Sequence, residues 1–324
     1  MRFTPYRPIA LAALLSLFLA TPASADDAIT LEPEQVGTNT YFFGGASEMA
    51  SQENKGFMSN AGFVVTSDGV VVFDTLGTPA LGQAMLDAIA EITDQPVKRV
   101  IISHYHADHF YGLQAFKEAG AEVWAHTKGQ IYLNSDLAQE RLEQRRQDLS
   151  PWVDDNTELV WADRWLTFED DKTKTFDMGD TTFELYDVGG AHSPEDMMMY
   201  VPDDKVLFAG DLYFTGRIPF VEDADSKTWL EAMDSMLDMD PDVVVPGHGK
   251  SSTNTVEDME LTRDYLIFLR QEMGAAVEDM LDFETAYKQT DWSEFEDYPA
   301  FKDANRINAY GQYLRMERES LEGL

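Results

Sequence analysis

The 324-residue sequence contains no cysteine. A disulfide framework is therefore excluded, and no thiolate is present to act as a nucleophile or as a metal ligand. Basic residues are scarce, because 24 Lys and Arg stand against 59 Asp and Glu and give a formal net charge of −35. A field of that sign repels nucleic acid and anionic membrane surfaces, so we expect neither as a partner. The acidic residues are spread along the chain, which is typical of a very soluble or salt-adapted surface.

Long apolar runs are also missing, apart from a stretch near the N-terminus. Two arginines precede the 12 apolar residues 9–20, and the small residues 23–25 supply a cleavage site. This pattern predicts a secretory signal peptide over residues 1–25, cleaved after Ala25, and an exported, periplasmic protein. The alternative is an uncleaved membrane anchor, but 12 apolar residues are too few to span a bilayer.

The most informative stretch is 104–109, which reads His-Tyr-His-Ala-Asp-His and follows an apolar, β-branched run. That run predicts a buried strand. Strand alternation turns His104 and His106 toward the same side, so that two imidazoles can bind one ion. A helix is expected to begin next, and the change of direction aims Asp108 and His109 at a second point a few ångströms away. The stretch therefore predicts a two-metal site.

Three further polar residues follow apolar, strand-like runs later in the chain: His192 after Gly-Gly-Ala, Asp211 after Ala-Gly, and His248 after Pro-Gly. Five of the six histidines thus stand at predicted strand ends, an arrangement that favours metal ligation over chance. Imidazole and carboxylate ligands suit zinc, although iron or manganese would also accept them. The sixth histidine, His126, is expected to be a buried, hydrogen-bonded core residue.

The order of elements predicts an α+β fold. Residues 62–74 indicate two strands joined by an Asp-Gly turn, and residues 197–211 repeat the layout of strand, acidic turn, strand and terminal aspartate. Asn254 and Glu257 resemble a capping box that opens a long amphipathic helix, and the tail from 283 onward is helical, acidic and aromatic. Two β-rich halves of this kind predict a sandwich of two mixed sheets with helices on both outer faces.

The series HxHxDH, Gly-Gly-x-His, Gly-Asp and Gly-His-Gly resembles the metallo-β-lactamase superfamily over roughly residues 36–250. The resemblance implies a four-layer αβ/βα sandwich with the site at one edge of the two sheets. It also implies a catalytic domain over residues 26–250 and a C-terminal helical extension over 251–324 that packs on the core. The implied ligands are His104, His106 and His192 for a first metal, Asp108, His109 and His248 for a second, and Asp211 as the bridge.

The same resemblance implies a zinc-dependent hydrolase with two ions per chain and a small-molecule substrate. A bridging hydroxide would attack the carbonyl of an ester, thioester, lactone or lactam, and Asp108 would orient it. The bridging Asp211 is similar to that of glyoxalase II and lactonases, and the exported layout resembles quinoprotein-associated, SoxH-like hydrolases. Three alternatives stay open: an iron-dependent sulfur (persulfide) dioxygenase of the same fold, a class B β-lactamase proper, and a non-catalytic periplasmic binding protein.

Four features outside the ligand set carry weaker predictions. Arg217 is a candidate contact for a substrate carboxylate, or alternatively a surface arginine in an acidic protein. The loop 46–60 is either a flap over the site or a segment packed on the core. The aromatic residues within 292–301 either wall the pocket or form the packed face of a helix. The methionines 197–199 are expected to be strand core rather than copper ligands.

Overall fold

The computed structural model describes residues 29–170 and 172–322, so the predicted signal peptide lies outside the described residues. The described residues form two β-sheets. The first has seven strands, in chain order: β1 (Glu34–Gln35), β2 (Thr40–Phe43), β3 (Ala61–Thr66), β4 (Gly69–Phe73), β5 (Val97–Ile102), β6 (Glu122–His126) and β7 (Arg164–Leu166). The second has five strands: β8 (Thr173–Met178), β9 (Thr181–Asp187), β10 (Met197–Val201), β11 (Val206–Phe214) and β12 (Val243–His248).

Helices follow or connect these strands. They are α1 (Pro79–Ile92), α2 (Ala107–Phe110), α3 (Leu113–Glu118), α4 (Gly129–Leu133), α5 (Asp136–Asp148), α6 (Ser226–Asp238), α7 (Thr255–Asp258), α8 (Glu260–Glu278), α9 (Phe283–Gln289) and α10 (Phe301–Glu322). Within the described ranges, no helix is both long enough and apolar enough to cross a bilayer.

Strand alternation divides the buried side chains into layers. In β4, Val71 and Phe73 belong to a core between the two sheets, whereas Val70 and Val72 pack in a separate core with α1 and α3. A third core joins the outer face of the second sheet to α6, α8 and α10. Because successive strand residues point to opposite faces, each sheet is covered on both sides. The predicted four-layer α+β sandwich, with C-terminal helices, is confirmed.

The direction of the strands determines where the polar residues gather. Strands β4 to β7 run parallel, and β11 runs parallel to β12. The carboxyl ends of parallel strands meet at a common edge, where open α/β sheets usually bind their ligands. Candidate ligands therefore lie just after β5, within β11 and at the end of β12, whereas His192 comes from the loop between the antiparallel strands β9 and β10.

The expected strand geometry of His104 and His106 is wrong. Strand β5 ends at Ile102, and both histidines lie in the loop that leads into α2. His106 is the extended residue immediately before α2, and its carbonyl accepts a hydrogen bond from the His109 N–H at 2.9 Å. The two imidazoles converge because this loop turns, not because they alternate along a strand.

The helix expected after this loop is interrupted. It forms α2 and α3, separated at Tyr111 and Gly112. A side chain at Gly112 would place its Cβ 1.8 Å from the Thr75 carbonyl oxygen, so the chain approaches the segment after β4 too closely for any other residue. The end of the predicted helix is as expected, because Gly120 has a left-handed φ of 89°.

The capping box predicted at Asn254 is also wrong. Its amide donates to the Glu257 carboxylate at 2.5 Å and accepts no backbone N–H, and the helix breaks at Met259 before α8 begins. Among the aromatic residues of 292–301, Phe295 is buried against Tyr265 at 5.2 Å between ring centroids, and Trp292 and Phe301 pack on the same core. The packed helix face is nevertheless wrong, because residues 290–300 form no helix and Tyr298 is 39% exposed. The three methionines of β10 are buried in the strand, as predicted.

Candidate metal centre

The structure brings all seven candidate ligands together at one edge of the two sheets. Their donor atoms form two clusters, in each of which the atoms lie within 4.8 Å of one another. The first donor group consists of His104, His106, His192 and Asp211. The second donor group consists of Asp108, His109 and His248.

Asp211 lies between the two groups and presents one oxygen to each. Its Oδ1 is 3.0 Å from His109 Nε2 and 3.3 Å from His248 Nε2. Its Oδ2 is 3.4 Å from His192 Nε2 and 3.9 Å from His104 Nε2. A single carboxylate can therefore bridge two ions, as the predicted ligand set requires.

The remaining ligands complete each group. Asp108 Oδ2 lies 3.3 Å from His248 Nε2 and 3.5 Å from His109 Nε2. His106 presents Nδ1, which lies 2.9 Å from His192 Nε2. Because Asp108 and His109 lie on α2 while His106 precedes it, one short turn supplies ligands to both groups.

Asp74 is a supporting residue that the sequence analysis missed. It follows β4, is 1 % exposed, and its Oδ2 lies 3.0 Å from His109 Nδ1. The same carboxylate accepts hydrogen bonds from the Ser103 N–H and Oγ–H, both at 2.7 Å, and Ser103 Oγ lies 2.9 Å from His104 Nδ1. Asp74 thus orients an imidazole in each donor group. The sequence held one indication of this role: Asp74 follows the predicted hairpin 62–74 in the same way as Asp211 ends the similar stretch 197–211.

Backbone carbonyls orient two further imidazoles. His192 Nδ1 lies 3.0 Å from the Phe220 carbonyl oxygen, and His248 Nδ1 lies 2.7 Å from that of Met58. A carbonyl oxygen only accepts hydrogen bonds, so the proton of each neutral imidazole resides on Nδ1. The lone pair of Nε2 is then directed toward the centre, which is the tautomer that metal ligation needs.

The carboxylates and imidazoles of the second donor group shift each other's pKa. Burial alone would lower the pKa of His109, but the charges of Asp211 and Asp108 outweigh burial and hold the pKa well above its usual value. The pKa of His248 is raised for the same reasons. In return, the pKa of Asp211 lies well below its usual value, because His248 and His109 outweigh the effect of burial.

The imidazoles of the first donor group shift in the opposite direction. Burial lowers the pKa of His104 and His192, and it lowers that of His106 to about 3. Neighbouring histidines add to the shift, since imidazolium cations repel one another. At neutral pH these three side chains are uncharged and available as ligands.

Four atoms of the candidate metal ligands are among the buried atoms that have no hydrogen-bond partner within the described part of the chain. They are His104 Nε2, His109 Nε2, His248 Nε2 and Asp211 Oδ1. Buried polar atoms without partners are rare and costly. These four belong to the two clusters in which the donor atoms lie within 4.8 Å of one another, so the residues present fit divalent metal ions.

The end of β12, which carries His248, is held in place by Asn60, the residue directly before β3 of the first sheet. The Asn60 side-chain amide donates to the carbonyls of Pro246 and Gly249, both at 2.8 Å. A Cβ at Gly247 would lie 2.0 Å from Asp211 Oδ1, so only glycine fits beside the bridging carboxylate. The Gly before His248 is therefore a steric requirement of the centre.

Arg217 lies beside the second donor group and is fully buried. Its Nη1 is 3.4 Å from His248 Nδ1, and its Nη2 is 3.8 Å from the sulfur of Met49. The guanidinium also stacks over the Phe220 ring at 5.2 Å. A surface position is thus wrong for Arg217, while its contact with substrate stays a prediction. In the loop 46–60, Met49 covers Arg217.

The structure also tests the predictions for the loop 46–60 and for His126. Met58 is buried in the loop 46–60 and Phe57 packs on the core, so the packed alternative holds for these side chains. His126 is buried, stacks on Phe168 at 5.5 Å and accepts the Lys128 N–H at 3.0 Å, as expected for a core histidine.

Comparison with known proteins identifies the family. The sequence model described as the metallo-beta-lactamase superfamily matches residues 54–248. The chain belongs to the metallo-β-lactamase superfamily. The predicted family is therefore confirmed, while the exported, SoxH-like branch within it stays a prediction.

Similar proteins in the superfamily include an alkylsulfatase and a β-lactamase. The chain is 23% identical over 244 residues to the linear primary-alkylsulfatase of Pseudomonas sp. (strain ATCC 19151), with 63% of this chain and 44% of that protein covered. It is 27% identical over 216 residues to the metallo-beta-lactamase type 2 of Elizabethkingia meningoseptica, with 64% and 77% covered. The chain thus spans less than half the length of the alkylsulfatase.

Solved structures extend the likeness in fold. The inverting sec-alkylsulfatase Pisa1 from Pseudomonas sp. has a TM-score of 0.70 at 20% identity, with 88% of this chain and 50% of that chain covered. A metallo-beta-lactamase from Pontibacter korlensis has a TM-score of 0.57 at 23% identity, with 74% and 99% covered. The alkylsulfatase fold therefore accounts for more of this chain than the β-lactamase fold does.

Proposed function

We propose that the protein is a zinc-dependent hydrolase that holds two ions per chain. This proposal rests on the position of the Asp211 carboxylate, because its two oxygens face different donor groups. When bound, two divalent ions supply Lewis-acid activation and lower the pKa of water toward neutrality. Iron or manganese at the same ligands is the alternative composition.

The side chains have distinct tasks in this proposal. The three imidazoles of the first donor group are neutral and bind without releasing a proton, because burial lowers their pKa. Asp108 is 14% exposed, more than His109 or His248, so its carboxylate lies on the accessible side of the centre and can orient a nucleophilic water. Asp74 and the two backbone carbonyls hold the imidazoles rigidly, which avoids reorganisation during the reaction.

The substrate class we favour is an ester, thioester, lactone or lactam. The name of one relative adds a sulfate ester to these candidates, and the names of others favour a β-lactam. A complete second donor group favours a hydrolase over a persulfide dioxygenase, which needs one iron. The intact ligands also argue against a binding protein without activity. Export to the periplasm, in the SoxH-like branch, remains part of the proposal.

The test is metal analysis of protein purified without chelator, together with hydrolysis of nitrocefin, a simple thioester and a primary alkyl sulfate. We expect two zinc ions per chain, and the fastest substrate selects the reaction. His104→Ala should abolish turnover, because it removes a ligand of the first donor group. His126→Ala is the matched control, since that buried histidine lies outside both groups and its loss should leave metal content unchanged.

The opposite outcome is equally specific. One iron per chain, with oxygen uptake on a persulfide, would replace the hydrolase by a dioxygenase. Equal loss of metal in His104→Ala and His126→Ala would show that general destabilisation, rather than ligand loss, explains the result.

A further inference from the structure

The loop 215–225 between β11 and α6 carries the carbonyl that orients His192. It has no helix or strand of its own, yet Arg217, Ile218 and Val221 are fully buried. Buried backbone groups need hydrogen-bond partners. In this loop many of those partners come from the C-terminal helix α10, outside the region that the superfamily model matches.

Asn308 of α10 holds the backbone on both sides of Phe220. Its Oδ1 accepts the Val221 N–H at 2.7 Å, and its Nδ2 donates to the Pro219 carbonyl at 2.8 Å. The side chain is 1 % exposed. Because both neighbours of Phe220 are fixed in this way, the direction of the Phe220 carbonyl toward His192 Nδ1 is fixed as well.

Gln312, one turn further along α10, holds the next part of the loop. Its Nε2 donates to the carbonyls of Val221 at 3.0 Å and Ala224 at 3.2 Å, and its Oε1 accepts the Ser226 hydroxyl at 2.6 Å. These contacts satisfy groups that the loop cannot pair internally. Gln312 is 0% exposed.

Gly311 allows α10 to approach the backbone of the loop 215–225 closely. A Cβ at this position would lie 1.8 Å from the Glu222 carbonyl oxygen. Glycine is unfavourable in a helix interior. Its presence in the middle of α10 is accounted for by the direct contact of helix and loop backbones.

We propose that Asn308 and Gln312 are positioning residues of the metal centre. Through the Phe220 carbonyl they fix the orientation and the Nδ1–H tautomer of His192, and thereby the metal affinity of the first donor group. The inference rests on the proposed function in that it assumes metal ions at this centre. It makes the C-terminal helical extension part of the site rather than a cover for the second sheet.

Asn305 offers a matched control on the same helix. It is also buried, and its amide accepts from the Tyr265 hydroxyl at 2.8 Å and donates to the Tyr287 hydroxyl at 3.1 Å. It makes no hydrogen bond to the loop 215–225. Asn305→Ala and Asn308→Ala therefore each remove a buried amide that is hydrogen-bonded to the Tyr265 hydroxyl, but only the second removes direct hydrogen bonds to the neighbours of Phe220.

The test measures zinc dissociation by chelator competition, with the melting temperature of the metal-free protein recorded in parallel. Direct outer partners of metal ligands contribute about 10–100-fold to affinity, and for the more distant Asn308→Ala we expect about tenfold weaker binding of one of two ions. Gln312→Ala should act in the same direction, and it carries the test if Asn308→Ala does not fold. Asn305→Ala should lower the melting temperature comparably and leave both affinities unchanged.

A second readout does not depend on metal. Nitrogen NMR of the metal-free protein should show His192 as the Nδ1–H tautomer in the wild type and as a mixture in Asn308→Ala. This change in a protein that binds no metal would support the positioning role while refuting the proposed function. An unchanged tautomer with unchanged zinc affinity in Asn308→Ala, or equal affinity losses in Asn305→Ala and Asn308→Ala, would overturn the inference.

Discussion

The two donor groups share Asp211 but are supported differently. In the second group, His109 and His248 are fully buried, and their outer nitrogens are fixed by Asp74 and by the Met58 carbonyl. In the first group, His106 is only partly buried and His192 depends on an irregular loop. Asp108 of the second group is also partly exposed, and Met58 lies in the irregular loop 46–60. The supports therefore differ mainly in Asp74, which contacts His109 directly but reaches His104 only through Ser103.

The groups also differ in charge. Carboxylates of Asp108 and Asp211 raise the pKa of the imidazoles in the second group, while burial lowers the pKa of those in the first. In the metal-free protein the second group therefore holds protons that a metal ion must displace, and the first does not. The two halves of the site thus differ in how many protons metal binding must displace.

The largest loss of metal and activity is expected from substitution of Asp211, which the two donor groups share. Asp211→Ala removes an oxygen from both groups, so both ions should be lost and turnover should fall by about 10³-fold or more, given that even one lost transition-state donor costs about 10²–10³-fold. Metal analysis and initial rates measure this. Asp204→Ala is the control, since that carboxylate bonds Thr40 at 2.6 Å and takes no part in either group. Retention of one full equivalent of metal in Asp211→Ala would contradict a shared bridge.

A smaller, unequal effect is expected at Asp74. Asp74→Asn preserves the shape of the side chain but weakens the hydrogen-bond acceptor that faces His109 Nδ1. The effect on His104 is indirect, because Asp74 contacts that imidazole only through Ser103. Metal affinity should fall by about 10–100-fold in the second group and less in the first. Chelator competition resolves the two steps. A larger loss in the first group would reverse the comparison of supports.

The smallest effect is a difference in pH dependence. Because the raised pKa values of His109 and His248 keep protons on the second group, its metal affinity should rise as pH increases through the neutral range. The first group, with pKa values already lowered, should bind almost independently of pH above about 6. Metal content after equilibration at pH 6 and pH 8 should increase from one ion toward two. Equal pH dependence of both steps would refute the electrostatic distinction.

The sequence was sufficient to predict the fold and the seven residues that gather in the two donor groups, but not the residues that hydrogen-bond to those side chains. The candidate ligands after β5 and at the end of β12 adjoin apolar strands and Asp211 lies within one, and such runs can be recognised from the local pattern alone. The hydrogen-bond partners of those residues are not local: Asp74 precedes His109 by 35 residues, and Phe220 follows His192 by 28. No periodicity encodes such pairs, because they depend on how finished elements pack.

Two errors have the same origin. His104 and His106 were expected on a strand, but Ile102 ends it, and the turn into α2 brings them together instead. Arg217, six residues after Asp211, offered no sign that Met49 and Phe220 would bury it. Chain direction at loops and the covering of loops by distant segments are set by tertiary packing rather than by neighbouring residues.

The most direct test of a two-ion centre bridged by Asp211 is anomalous diffraction at the zinc edge from protein purified without chelator. Two peaks about 3.5–4 Å apart, one on each side of the Asp211 carboxylate, are expected. A single peak, held by the first donor group alone, would contradict the account.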